Sequence, residues 1–246
     1  MRFSANLGFL WQELPLPDAI RAAKAAGFAA VECHWPYDVP AAEVKAALLE
    51  TGLPMLGLNT RKGPTGQNGL SALPGHRAAA FAAVDEALAY AGAVDAGAVH
   101  VMAGFAEGPE AEAAFVETLG YACAQTDRTI LIEPLNRYDA PGYFLQTTGQ
   151  AEAIIARVGA KNLKLMFDCY HVQLMEGDVT HRLDRLLPVI GHIQFASVPD
   201  RGAPDHGELW YPYVFEVIEK LGWAAPLGAE YKPGGATEPT LGWMAG

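Results

Sequence analysis

The sequence predicts a single (β/α)8 barrel over residues 1–246, a fold of the α/β class in which helices enclose eight parallel strands. Short apolar runs typical of buried parallel strands alternate with helical patterns along the whole chain. The length of 246 residues agrees with the ~250 residues typical of such barrels. No GxGxxG motif follows the first strand, which disfavours a dinucleotide-binding open sheet. We therefore expect one barrel domain.

The eight predicted strands are short apolar runs near residues 2–7, 29–34, 54–59, 97–102, 129–133, 163–168, 190–196 and 226–231. The predicted helices alternate with them, near residues 16–26, 40–51, 76–92, 109–125, 148–158, 178–187, 210–221 and 237–245. Pro17 and Thr147 are typical helix starts. Glycines stand where five predicted helices should end, at Gly27, Gly52, Gly92, Gly159 and Gly222. Eight such units in series favour a closed barrel over a doubly wound sheet.

Net charge and cysteine content restrict the partners and the compartment that we expect. The net charge of −11 opposes nucleic-acid binding, which needs a basic surface, but it still admits a small anionic metabolite. The three cysteines form no CxxC pair, which indicates a reducing cytosol. No signal peptide is evident, and no run approaches the ~18 apolar residues of a membrane span. We expect a cytoplasmic protein without a nucleic-acid or membrane partner.

The longest segment without a regular pattern is residues 60–75, which follow the third strand on the catalytic side of a barrel. Long loops in compact domains are commonly functional, so this segment is a candidate lid, with an uninvolved surface loop as the alternative. Arg61 and Lys62 begin it. Both are candidates to bind an anionic substrate, and solvated loop charges are the alternative.

Four polar side chains end the last four predicted strands, namely Glu133, Asp168, Gln194 and Glu230. They are 35, 26 and 36 residues apart, close to the ~30 residues or more of a strand with its returning helix. Because strand ends meet at one mouth of a barrel, these side chains should converge. Three carboxylates and an amide oxygen favour Mg²⁺ or Mn²⁺ over zinc. The alternative is pairing with Arg or Lys, although only 17 basic residues accompany 28 acidic ones.

Two further polar residues, Glu32 and His34, end the second predicted strand. Side chains two positions apart on a strand point to the same side, so we expect Glu32 and His34 to lie on one side of it. Lys232 follows Glu230 by the same interval and is a further candidate to face the mouth. Asp139 is a candidate to orient a polar group or Arg137.

Several segments resemble the hydroxypyruvate isomerase family, and together they extend over essentially the whole chain. They read RFSANLGFLW at 2–11, VECHWPYD at 31–38, IEPLNRYDAPGYFL at 132–145, FDCYHVQLMEGD at 167–178, GHIQFASVPDRGAP at 191–204, GELWYPYVFEVIE at 207–219 and AEYKP at 229–233. The resemblance implies a xylose-isomerase-like barrel, a wider group that includes D-tagatose 3-epimerase and endonuclease IV.

The resemblance also implies roles for individual residues. The ligands of a divalent metal, Mg²⁺ or Mn²⁺, correspond to Glu133, Asp168, Gln194 and Glu230. The acid/base pair corresponds to Glu133 and Glu230. His171 and Arg201 correspond to substrate-contacting groups, with a satisfied loop histidine and a surface ion pair as the alternatives. Barrels of this group are often dimers or tetramers, so the resemblance implies a possible homo-oligomer.

The implied reaction is the isomerisation of hydroxypyruvate to tartronate semialdehyde through an enediolate. One glutamate removes a proton from the hydroxyl-bearing carbon and its partner returns a proton to the neighbouring carbon; the sequence leaves open which glutamate acts first. A 2-oxo-tetronate isomerase and a ketose 3-epimerase are alternatives with the same site. A non-catalytic sugar-acid binding protein is an alternative of another class. A DNA endonuclease is disfavoured by the acidic composition and by the oxygen ligands.

Overall fold

The computed structural model describes residues 1–245 and contains eight parallel strands in one sheet. They are β1 (Phe3–Asn6), β2 (Ala30–Glu32), β3 (Gly57–Asn59), β4 (Ala98–His100), β5 (Thr129–Ile132), β6 (Leu163–Asp168), β7 (Ile190–Phe195) and β8 (Leu227–Ala229). Neighbouring strands pair in the order β2-β1-β8-β7-β6-β5-β4-β3. A bridge between Val31 and Met55 joins β2 to the segment before β3, which brings the two edges together. The predicted (β/α)8 fold is confirmed.

Helices cover the outside of the barrel. They are α1 (Leu16–Ala25), α2 (Ala41–Thr51), α3 (Arg77–Val94), α4 (Gly108–Ala124), α5 (Thr148–Val158), α6 (Cys169–Met175), α7 (Val179–Leu186) and α8 (Tyr211–Lys220). The short helix α6 was not predicted. The predicted helix at 237–245 is a 3-10 helix, Glu238–Ala245, whose Pro239 and Gly242 disfavour an α-helix. Within residues 1–245, no helix has both the length and the apolar character that a membrane crossing needs.

Two apolar layers lie on opposite sides of the barrel wall. The main core fills the space between strands and helices and includes the fully buried rings of Phe115, Phe167 and Phe195. Inside the barrel, a separate cluster consists of Ala98, Leu131 and Met166. Each of these three residues stands two positions before a polar residue, respectively His100, Glu133 and Asp168. Alternate strand positions therefore fill the barrel and then line its mouth.

The pairing register brings polar residues at the strand ends to a common level. The paired residues are Asn6 with Glu32, Asn59 with His100, and Asp168 with Gln194. Because all eight strands are parallel, these ends open on the same side of the barrel. Residues that are distant in the sequence thus meet at one mouth.

The segment 60–75 folds back onto the loop that follows β4. Gly69 forms an antiparallel bridge with Ala103, and its backbone N–H donates to the Lys62 carbonyl at 2.7 Å. Gly69 has a φ of +121°, and a Cβ there would lie 2.3 Å from the Met102 carbonyl oxygen. Only glycine fits this approach, so the loop that carries Lys62 has a defined path across the barrel mouth.

Candidate active site

Four buried side chains meet at the barrel mouth, and one ligand atom from each lies within 4.8 Å of the others. They belong to Glu133, Asp168, His171 and Glu230. Glu133 and Glu230 directly follow β5 and β8, and Asp168 is the last residue of β6. The carboxylate of Asp168 also caps α6, because its Oδ1 accepts a hydrogen bond from the Tyr170 backbone N–H at 2.9 Å. The convergence predicted for these three carboxylates is present.

Several buried polar atoms in this cluster have no hydrogen-bond partner among the described residues. They are Glu133 Oε1, Asp168 Oδ2, His171 Nε2 and Gln194 Oε1. A buried polar atom left unpaired costs about 1–3 kcal/mol, so a group of them indicates a site built for a ligand. The donor set of three carboxylates and an amide oxygen fits a hard divalent cation such as Mg²⁺ or Mn²⁺.

The electrostatics of two of the carboxylates also fit a cation. Burial raises the pKa of Glu133 well above its usual range, and the nearby charges of Glu230 and Asp168 raise it further. Burial and the Glu230 charge raise the pKa of Asp168 to about 7. A divalent cation between these oxygens would stabilise their ionised forms and lower both pKa values.

The carboxylate of Glu230 is held differently. Its Oε2 accepts from Arg201 Nη2 at 2.5 Å, and its Oε1 lies 2.9 Å from both His34 Nε2 and Asn6 Nδ2. Burial alone would raise the pKa of Glu230, but the Arg201 charge and the His34 contact lower it to about 2. Glu230 is therefore ionised at neutral pH, whereas the pKa values of Glu133 and Asp168 are both raised.

His171 lies just beyond β6, in the first turn of α6, which differs from the alternative of a loop histidine. Its Nδ1 accepts a hydrogen bond from the Asn136 backbone N–H at 3.0 Å. Burial lowers the pKa of His171 to about 3, and the Arg201 charge adds to this effect, so the ring is neutral with its proton on Nε2. The Nε2 atom lies 3.6 Å from Asp168 Oδ2 and 3.7 Å from Glu133 Oε1. A protonated Nε2 serves as a hydrogen-bond donor rather than as a metal ligand.

Arg201 is buried between the rings of Phe9 and Tyr170, whose centroids lie 4.7 and 5.0 Å from its guanidinium carbon. Besides Glu230, its guanidinium contacts Asp139 at 3.4 Å and lies 3.7 Å from Asp168. Arg201 lines the cleft; its Nη1 and Nη2 face these carboxylates, whereas its buried Nε has no hydrogen-bond partner among the described residues. Asp139 therefore orients Arg201, and within the described contacts it does not pair with Arg137.

The two basic residues of the long loop lie in different places. Lys62 lines the cleft above the carboxylates, with its Nζ 3.9 Å from the centroid of the Trp35 ring. Arg61 lies outside the residues that line this cleft and forms two hydrogen bonds with Glu86 of α3, at 2.6 and 3.0 Å. Geometry thus brings Lys62 to the cleft and leaves Arg61 paired with Glu86 outside it, and the substrate-binding role of Arg61 stays a prediction.

Glu32 and His34 both face the barrel interior. This agrees with the prediction that two residues separated by one position on a strand point to the same side. His34 contacts Glu230, and Glu32 Oε1 accepts from Gln194 Nε2 at 2.7 Å. Gln194 is buried on β7, where it pairs in register with Asp168, and its Oε1 has no hydrogen-bond partner among the described residues. Gln194 therefore lies at the level of the mouth and offers an unpaired amide oxygen.

The cleft has a volume of about 380 Å³, and one buried residue that lines it, His100, was absent from the predicted site. Both of its ring nitrogens lack hydrogen-bond partners, and Nδ1 lies 3.7 Å from Glu133 Oε2. Burial lowers the pKa of His100 to about 3, so the ring is neutral. The signal in the sequence was a polar residue, His100, within the fourth apolar run.

Comparison with known proteins gives relatives over nearly the whole length. A 2-oxo-tetronate isomerase from Cupriavidus necator is 44% identical, covering 99% of this chain and 97% of the relative. A putative hydroxypyruvate isomerase from Homo sapiens is 42% identical, covering 99% and 94%. A hydroxypyruvate isomerase from Escherichia coli is 37% identical, covering 99% and 98%.

Solved structures share the fold. The crystal structure of an AP endonuclease, family 2, from Brucella melitensis has a TM-score of 0.95 and 38% identity, covering 99% of this chain and 98% of the other. A 3-keto-D-glucoside 4-epimerase from Escherichia coli has a TM-score of 0.81 over the same shares at 21% identity, which shows the fold alone. A family model for xylose isomerase-like TIM barrels matches residues 20–246. With this match and full-length relatives of up to 44% identity, the chain belongs to the xylose isomerase-like TIM barrel family.

Proposed function

We propose that this protein is a divalent-metal-dependent isomerase that interconverts hydroxypyruvate and tartronate semialdehyde. The isomerase role is supported by full-length relatives named hydroxypyruvate isomerase and 2-oxo-tetronate isomerase. The observation that carries the proposal is the convergence of Glu133, Asp168 and Glu230 with the free amide oxygen of Gln194 at one end of the barrel.

Four residues would hold the metal in this proposal, namely Glu133, Asp168, Gln194 and Glu230. A bound Mg²⁺ or Mn²⁺ supplies Lewis-acid stabilisation of the negative charge that develops when a proton leaves the carbon beside a carbonyl. The buried, unpaired oxygens of Glu133, Asp168 and Gln194 need no rearrangement of partners before they serve as ligands.

The two glutamates are proposed as the acid/base pair. The forward reaction removes a proton from C3 of hydroxypyruvate and adds a proton to C2, while the hydroxyl proton passes from O3 to O2. Arg201 and His34 hold Glu230 ionised, so Glu230 suits the base that removes the C3 proton. Glu133, the second glutamate of the cluster, is proposed as the partner that delivers a proton to C2. A positioned acid or base contributes about 10²–10⁴-fold in rate.

Neutral imidazoles and two cationic side chains are proposed to bind the substrate oxygens. His171 Nε2–H and His100 point unpaired polar atoms into the cleft and suit hydrogen bonds to the hydroxyl and carbonyl oxygens. Lys62 suits the substrate carboxylate, because it lines the cleft without a carboxylate partner among the described residues. Arg201 holds Glu230 through Nη2 in this proposal, and it stays a proposed substrate contact as well, since it lines the cleft and its Nε has no partner among the described residues.

A four-carbon 2-oxo acid is the second candidate substrate. The cleft volume of about 380 Å³ leaves room for one more carbon than hydroxypyruvate has, and the relative with 44% identity is named a 2-oxo-tetronate isomerase. Both substrates undergo the same proton transfer beside a carbonyl, so the site residues keep their roles. The preferred number of substrate carbons then depends on the residues that line the cleft around Lys62.

The test is turnover by metal-stripped protein, with and without added Mg²⁺ or Mn²⁺, on hydroxypyruvate, a four-carbon 2-oxo acid and a ketohexose. We expect activity to appear only with metal and to be greatest with hydroxypyruvate. A preference for the four-carbon acid would keep the mechanism and change the substrate. Equal activity in metal-stripped and metal-loaded protein would overturn the metal dependence.

A further inference from the structure

A buried hydrogen-bonded cluster lies inside the barrel directly below the candidate metal ligands. Its members are Asn6, Glu32, His192 and Gln194, from β1, β2 and β7. Glu32 is at the centre. Its Oε1 accepts from Gln194 Nε2 at 2.7 Å and from Asn6 Nδ2 at 3.0 Å, and its Oε2 lies 2.7 Å from His192 Nε2.

Because Gln194 Nε2 donates to Glu32 Oε1 at 2.7 Å, this contact fixes which way the Gln194 amide faces. With Nε2 directed at Glu32, the amide oxygen of Gln194 points away from Glu32, and the register places Gln194 beside Asp168. That oxygen is buried and has no partner within the described chain. An amide that was free to rotate would present its NH₂ group to a cation for part of the time, and an NH₂ group cannot serve as a ligand.

His192 lies beside the Glu32 carboxylate, and the side chains of the cluster are closely packed. Glu32 and His192 form a buried ion pair, and Asn6 uses its second amide hydrogen to donate to Glu230 Oε1 at 2.9 Å. Gly228 of β8 leaves room for the contact, because a Cβ there would lie 2.7 Å from Glu32 Oε1 and 2.8 Å from Gln194 Cγ. A buried ion pair adds little net stability, so its presence here needs another reason.

We propose that Glu32, held by His192 and Asn6, is a positioning residue that locks the Gln194 amide with its oxygen towards the bound cation. The inference rests on the proposed function, because it requires a divalent cation among these ligands. Glu32 is linked directly to one proposed ligand, Gln194, and through Asn6 it is linked indirectly to a second, Glu230. Residues that hydrogen-bond to metal ligands typically contribute about 10–100-fold to metal affinity.

The experiment is a double-mutant cycle on Mn²⁺ affinity, measured by titration calorimetry of metal-stripped protein. The variants are Glu32→Gln, Gln194→Ala and the double variant. Glu32→Gln can accept or donate, so it no longer fixes the amide, and we expect Mn²⁺ to bind about 10–100-fold more weakly. If Glu32 acts through Gln194, the double variant will bind Mn²⁺ as Gln194→Ala does.

Two outcomes would overturn the inference about Glu32 while the proposed metal site stands. One is wild-type Mn²⁺ affinity in Glu32→Gln, and the other is a double variant in which the two losses multiply. If the wild-type protein binds no Mn²⁺, the proposed function fails first and this inference falls with it. Thermal unfolding of each metal-free variant shows whether a lost affinity reflects a lost fold.

A second variant keeps the proposal testable if Glu32→Gln does not fold. Gly228→Ala retains every charge of the cluster but pushes its Cβ against Glu32 and Gln194. We expect weaker Mn²⁺ binding in this variant too. Gly120→Ala on α4 is the matched control, because a Cβ there meets nothing within 4 Å, and its Mn²⁺ affinity should equal that of the wild type. Unchanged Mn²⁺ affinity in Gly228→Ala would overturn the positioning role.

Discussion

The two halves of the barrel mouth differ in their chemistry. The half formed by β5–β8 carries three buried carboxylates and the free amide oxygen of Gln194. The half formed by β1–β4 and the loop after β3 carries groups that orient or bind, namely Asn6, Glu32, His34, Lys62 and His100. In the proposed function, the second half of the chain therefore supplies the reactive groups, whereas both halves orient them, since Arg201 and His34 both hold Glu230.

The mutation with the largest expected effect lies in the half formed by β5–β8. Glu230→Gln keeps the shape of the side chain but removes the proposed base, so we expect kcat to fall by about 10²–10⁴-fold at saturating Mn²⁺. Steady-state kinetics and thermal unfolding of the same preparation check this. Glu219→Gln, an exposed residue of α8, is the control. A kcat near that of the wild type in Glu230→Gln would remove Glu230 from the chemistry.

Metal affinity should depend on pH because of Asp168, which belongs to the half formed by β5–β8. The pKa of Asp168 is raised to about 7 in the metal-free protein, so a proton occupies this carboxylate increasingly as the pH falls below 7. The cation must then displace that proton, and we expect Mn²⁺ affinity to fall by up to about tenfold per pH unit below 7. Calorimetric titrations at pH 8, 7 and 6 measure this. Asp168→Asn should bind more weakly with a smaller pH slope, and an equal slope would assign the proton to another group.

The binding half is tested by Lys62→Ala. Hydrogen bonds to charged groups contribute about 1.5–3 kcal/mol, so we expect KM for 2-oxo acids to rise by about tenfold or more, with kcat little changed. Arg61→Ala is the matched control, because Arg61 pairs with Glu86 outside the cleft and its loss should leave KM unaltered. A larger rise of KM in Arg61→Ala than in Lys62→Ala would reverse the assignment of the two residues.

The smallest expected effect separates binding from packing at His100. Leucine has a similar volume and no unpaired nitrogen, so His100→Leu should raise the free energy of unfolding of the substrate-free protein by about 1 kcal/mol. In the same variant we expect kcat/KM to fall by about tenfold. Denaturant unfolding and steady-state kinetics measure the two quantities. If His100→Leu is more stable and its kcat/KM is unchanged, His100 only packs inside the barrel and does not bind substrate.

Much of the mouth could be predicted from the sequence because a parallel strand ending in an oxygen ligand is a local pattern. Glu133, Asp168, Gln194 and Glu230 all follow from that pattern together with the barrel topology. The different surroundings of Lys62 and its neighbour Arg61 could not be predicted in this way. That difference depends on Glu86, which α3 brings beside the loop only after folding.

The helix α6 was missed for a related reason. It begins at Cys169 with no breaker after β6, and its N-cap is Asp168, a residue already interpreted as a ligand. The 3-10 helix at the end of the chain was predicted as an ordinary helix because its Leu241, Trp243 and Met244 are apolar. Sequence patterns assign each residue one role, whereas the folded chain gave Asp168 two.

That double use of Asp168 links two properties of the protein that would otherwise vary separately. One oxygen of the carboxylate anchors the start of α6, which carries His171, and the other is free at the cation site. A mutation at Asp168 therefore changes the start of the helix that carries His171 as well as the carboxylate at the proposed cation site. Under the proposed function, metal preference and substrate recognition are coupled through this one residue.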